Sequence, residues 1–200
     1  MNMRSGWAPR LLLAAIACSP LATYAGVTTP ALGGETTVQL GAGFVSALKS
    51  LNVVPGAIGP GRLYEARGSA FAAFPVTTGA LDLAAPRIEV DHAGGLSLTA
   101  GGTVVTLSSF IIQTDPKGES VLTGVVAVNG SLVGRIPLFD LSLSKAKVWV
   151  QNRFTDIANV GLKLNSTAAE ALSGAFHTSV PAIPVGTAEI RTVSAGYNDL

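Results

Sequence analysis

Arg87-Ile88-Glu89-Val90-Asp91-His92-Ala93-Gly94-Gly95-Leu96-Ser97-Leu98 is the stretch whose reading decides the fold of this chain. It reads as a β-hairpin region: strand material, a Gly94-Gly95 turn signal, then a short strand from Leu96 to Thr99. His92, one of only two histidines in the protein, sits beside that turn.

Outward from it, Gly68 to Leu143 reads as a β-meander. Before it, Ala80 to Val90 is strand material broken by Pro86. After it come a Gly101-Gly102 turn and a long β-branched and aromatic strand, Thr103 to Thr114. Asp115-Pro116-Lys117-Gly118 is a turn, with proline presetting its first central position and glycine taking the left-handed one. Val121 to Val128 and Leu132 to Leu143 follow as strands around Asn129-Gly130, a type I′ signature, and Pro137 marks an edge or bulge. Lys145 to Val150 is again strand-like.

Two similar units flank the meander. In the first, strand Glu35 to Leu40 precedes a short helix carrying Phe44, Ala47, Leu48 and Leu51 at helical spacing. Asn52 and Pro55 end it, and a Gly/Pro loop leads to a strand from Arg62 to Arg67. In the second, strand Leu162-Lys163-Leu164 precedes a helix with Ala168, Ala171, Leu172 and Phe176, then a loop with Pro181 and Pro184 and a strand Gly186 to Val193. Thr167 and Glu170 make a capping box there, and the sequon Asn165-Ser166-Thr167 reads as helix-start chemistry. Leu40, Ala47, Leu48, Ile58 and Gly61 correspond to Leu164, Ala171, Leu172, Ile183 and Gly186, which points to pseudo-symmetry.

Composition agrees with a packed β-body. Of 200 residues 48% are hydrophobic and only 12% charged, so a sizeable core forms and disorder is not expected. A net charge of +1 gives no electrostatic case for nucleic acid. Residues 1–25 read as a signal peptide: Arg4 and Arg10, an apolar run Leu11 to Cys18, and Thr23-Tyr24-Ala25 before Gly26. Pro20 interrupts the run too early for a membrane span. The predicted address is periplasmic or extracellular, with a membrane anchor only if Cys18, the sole cysteine, is lipidated in a degenerate lipoprotein box (Ala15-Ile16-Ala17-Cys18-Ser19). Residues 26–34 read as a flexible lead-in and 35–195 as the domain proper.

No catalytic constellation stands out. No serine lies in a Gly-x-Ser-x-Gly elbow, and neither histidine is framed by a triad motif. Metal-ligand spacing is absent, since Asp91 and His92, as strand neighbours, point to opposite faces. Side chains able to ligate a haem iron include His92, Tyr64 and His177, each with a plainer reading as turn partner, β-surface phenol or helix-end cation.

Val90-Asp91-His92-Ala93-Gly94-Gly95-Leu96-Ser97-Leu98, followed by a long strand, resembles the HtaA-like domain of bacterial secreted and surface proteins. The ending is similar too: strand, alanine-rich helix (Ala168-Ala169-Glu170-Ala171-Leu172), and a Gly186-Thr187-Ala188 strand. The resemblance implies an all-β domain with small helices that binds haem through a tyrosine and a histidine, the latter matched by His92. Where it places the tyrosine, a few residues after a helix phenylalanine, this chain has Phe44-Val45-Ser46-Ala47, which leaves Tyr64 as the substitute. The expectation is therefore an all-β, antiparallel β-sandwich-like domain with two short helices. Its expected role is that of an exported, non-enzymatic binding domain for haem or another hydrophobic small molecule, with His92 and Tyr64 at the ligand. The rival is a structural or adhesive cell-envelope domain without such a site.

Overall fold

A computed structural model describes residues 28–82, 87–114 and 119–194. The order of elements is β1 (Thr29–Leu40), α1 (Ala42–Ser50), β2 (Val54–Ile58), β3 (Arg62–Ala66), β4 (Ser69–Asp82), β5 (Arg87–His92) and β6 (Gly95–Ala100). Then follow β7 (Thr103–Thr114), β8 (Ser120–Val128), β9 (Ser131–Ser142), β10 (Lys147–Gln151), β11 (Phe154–Leu164), α2 (Ser166–Phe176) and β12 (Pro184–Ser194).

The fold is all-β with two short helices, but the sheet closes on itself. Around the ring, β7, β5, β4, β1, β12, β11, β9 and β8 each pair with the next, and β8 returns to β7. The body is thus an eight-stranded antiparallel barrel rather than the sandwich expected from the sequence. Inward–outward alternation is the same along a strand of either architecture, so sequence alternation does not separate them. Closure rests on pairs distant in sequence, such as Thr36 opposite Ile190 and Val90 opposite Ile112. The strands β2, β3, β6 and β10 lie off the ring: β6 continues the edge of β7 and β2 pairs β6, while β3 and β10 pair β4 and β11.

The deciding stretch behaves differently from its prediction. Arg87 to Leu98 is no hairpin, because β5 and β6 do not pair with each other. They run in tandem along one edge of β7, β5 against Ile111–Gln113 and β6 against Thr103–Ser108. Gly94-Gly95 is the switch between them. Gly94 has a φ of +88°, and a Cβ on Gly95 would stand 2.2 Å from the Leu107 carbonyl oxygen. Opposite the switch, β7 carries its own register shift between Ser108 and Ile111, with Ser109 at a φ of +51°. The hairpin turn in this region is Gly101-Gly102, with both residues at positive φ.

Other boundaries also moved. Thr29 to Gly34, expected to be a flexible lead-in, belongs to β1 and pairs with both β4 and β12. The Pro55 loop is partly strand, with β2 held by β6. The cap of α2 is Asn165 rather than Thr167: its side chain accepts from the Thr167 backbone N–H at 2.9 Å. The strand entering α2 starts at Phe154, well before Leu162. The proposed pseudo-symmetry extends from strand into helix and ends there, because the chain leaves α2 for β12, beside β11, yet leaves α1 for β2, on the far edge of β6. The signal segment, Pro86 and the Asp115–Gly118 turn lie outside the described residues.

The barrel is solid at one end. Leu81, Val90, Ile112 and Ile190 are almost wholly removed from water and fill it. Both helices sit at the other end, where β1 and β11 finish and β12 begins. Among the described residues no helix is long and apolar enough to cross a membrane.

Candidate functional site

Beneath the helices lies a cavity of about 100 Å³. Its walls come from the inward faces of the barrel strands and from Phe44 and Leu48 of α1 and Leu172 and Phe176 of α2. Leu40, Leu48, Leu164 and Leu172, paired in the sequence repeat, all face it. A second apolar cavity of about 190 Å³ lies between α2 and β7–β9, and Leu107, Phe139, Leu164 and Leu172 line both.

Only two side chains with polar groups line the first cavity, Thr36 and His92, and they bond to each other. Both are buried, at 3% and 6% exposure. The His92 Nδ1–H donates to the Phe110 carbonyl at 3.3 Å, at the register shift of β7. A carbonyl only accepts, so Nδ1 carries the proton and Nε2 of the neutral ring is an acceptor. Thr36 Oγ1 therefore donates to Nε2, across 2.7 Å. Burial pushes the His92 pKa below its ordinary 6.5, and the Phe110 carbonyl, the Asp91 charge and the Val90 backbone only partly oppose it. The ring stays neutral at physiological pH. Phe74 and Phe110, edge to face with centroids 5.0 Å apart, lie in the same apolar wall.

The two residues predicted for the ligand are not brought together. His92 faces the cavity. Tyr64 sits on the outer face of β3, half-exposed and stacked on its cross-strand partner Phe71 at 5.3 Å, while its neighbour Leu63 points into the cavity. His177 is the exposed left-handed C-cap of α2. Thr36 was missed, although a signal existed: it shares a strand face with Val38 and Leu40 and is the polar member of that face.

A hydroxyl, an imidazole and an orienting carbonyl are the outline of a nucleophilic dyad, but the surroundings do not complete it. β1 is paired on both sides, with Thr36 opposite Phe74 and Ile190, so the N–H groups near Thr36 are spent in ladders rather than free to hold an oxyanion. Among the described residues no cluster of three acidic, histidine or cysteine side chains could hold a metal ion.

No protein-family model matches the chain, and no curated protein matches its sequence. Solved structures do match. The C-terminal domain of HtaA from Corynebacterium glutamicum aligns with a TM-score of 0.57 at 15% identity, over 82% of this chain and 98% of that one. A domain-swapped dimeric variant of the same domain aligns at 0.49 and 16% identity, over 76% and 91%. The heme binding protein HtaB of that organism aligns at 0.48 and 12%, over 84% and 96%. The chain has an HtaA-like fold.

Proposed function

We propose that this is an exported, non-enzymatic binding domain that takes a small apolar molecule into the cavity under α1 and α2. The observation that carries the reading is the cavity itself: an apolar chamber beneath the two helices, with a single buried polar pair in its wall. Export is proposed from the sequence of residues 1–25, and predicts a mature chain that starts at Gly26 by mass spectrometry. A mass increase abolished in Cys18→Ala would instead reveal a lipid anchor.

Haem is the ligand that the family resemblance brings forward, and HtaB is described as a heme binding protein. The apolar walls suit a macrocycle's faces. An iron additionally calls for an imidazole, thiolate or phenolate. The one such side chain in the cavity wall, His92, has its Nε2 engaged by Thr36, and Tyr64 faces the other way. The residues present do not fit the iron, and the reading favours a ligand without one.

The test uses the full chain with two probes. The neutral fluorophore N-phenyl-1-naphthylamine is expected to brighten and saturate on binding, and titrated hemin to show no Soret shift. Absence of any fluorophore uptake would favour the structural or adhesive alternative. A Soret shift lost in His92→Ala would return haem to the site.

A further inference from the structure

We infer that β10 is a dimerisation edge, on which a second copy of this chain adds its own β10 antiparallel, about a two-fold axis at Trp149. Among the described residues β10 pairs with β11 alone, so its other edge carries unpaired backbone groups. All five of its residues are exposed, with Val148, Trp149 and Val150 at 50%, 46% and 58%. The two valines face the same side as Ile157 and Thr155, their partners on β11, which are only 4% and 1% exposed. The buried inner layer of the barrel thus runs out onto β10 and is left uncovered there. Edge strands are ordinarily blunted by charge or proline. Here a lysine stands at one end and Val-Trp-Val fills the middle.

The sequence of the edge points to its own copy as the occupant. Lys147-Val148-Trp149-Val150-Gln151 reads almost the same in both directions. Antiparallel pairing centred on Trp149 sets Val148 against the partner's Val150, Val150 against the partner's Val148, and one indole against the other. Aromatic and β-branched pairs of this kind are the stabilising ones across strands. Charge agrees with the register. Lys147 meets the neutral amide of the partner's Gln151 rather than another lysine, and Lys145 and Arg153 lie in the turns beyond the strand ends. Five residues a side, against the roughly 20–30 of a standard interface, make this a reversible dimer and not an obligate one.

The experiment is sedimentation velocity on the full chain without ligand. A monomer–dimer equilibrium is expected to shift between about 5 and about 500 μM. Trp149→Lys brings two like charges together on the axis and should weaken the dimer by about tenfold or more. Cysteines introduced in a Cys18→Ala background read the register. Trp149→Cys faces its own copy and should link under mild oxidation. Val148→Cys faces position 150, so it should not link alone but should link when mixed with Val150→Cys. If Trp149→Lys does not fold, the mixture of Val148→Cys and Val150→Cys still decides. A chain that stays monomeric throughout, a dimer indifferent to Trp149→Lys, or cysteines that fail to link in this register would each overturn the inference.

Discussion

The two helices cover one cavity but are held in very different ways. α2 is capped by Asn165, whose amide also bonds Asp140, and it buries Ala168, Ala169 and Leu172. Its end is tied down as well, with the Ser173 hydroxyl bonded to the Ala169 carbonyl and receiving the Val180 N–H. α1 has Gly41 at its N-cap, no side-chain cap bond and no buried residue. Local stability follows buried apolar contact and satisfied ends. On that basis α2 is expected to unfold with the barrel, and α1 to open before it.

The sharpest way to break this contrast is to truncate one leucine on each helix. Leu172→Ala should cost about 2–3 kcal/mol in denaturant unfolding, because it removes a buried side chain between two cavities. Leu48→Ala, on a helix that buries nothing fully, should cost about 1 kcal/mol or less, yet weaken fluorophore binding. Equal losses from the two substitutions would mean that the helices are anchored alike.

A smaller effect comes from pH. His92 is held neutral in the fold, its pKa below the unfolded value of 6.5. As pH falls through that value the unfolded chain takes up a proton that the folded chain does not, so stability is complete above it and declines below it. The decline ends once the lowered pKa of the folded state is reached. Asp91, the nearby charge, opposes the shift without cancelling it. Hydrogen exchange separates the helices under this stress. Between pH 7.5 and 5.5, after correction for intrinsic exchange rates, protection of α2 amides should drop with global stability. That of α1 amides, which report local opening, should hardly change. A parallel drop in both would place α1 inside the cooperative unit.

Much of this was legible in the sequence, and the limits have physical causes. Helix α1 showed through Phe44, Ala47, Leu48 and Leu51, and the Asn129-Gly130 turn through its chemistry, with both residues at positive φ in the structure. These are local signals. Barrel closure was not legible, because β1 meets β12 from the opposite end of the chain and no residue on either strand announces its partner. The same holds at the site. His92 stood out through its motif, but the bond to Thr36 spans 56 positions, and a threonine within Glu35-Thr36-Thr37-Val38-Gln39-Leu40 reads simply as strand propensity. Tyr64 was favoured for its phenol. Only the register of β3 on β4 shows that Leu63, not Tyr64, turns inward.

The finest test of the contrast adds to α1 rather than removing from it. Gly43 lies in the helix with nothing within 4 Å of where a Cβ would stand, so alanine fits without collision. The substitution narrows the freedom of the unfolded segment and should stabilise the helix by about 0.5 kcal/mol. If α1 opens locally, that gain appears first as slower exchange of its own amides, by about twofold, and only faintly in global unfolding. Ligand entry past α1 should slow by a similar factor, read as the stopped-flow association rate of N-phenyl-1-naphthylamine. An unchanged association rate beside slower α1 exchange would move the entrance elsewhere, to the side of the cavity that Leu172 shares with the second chamber.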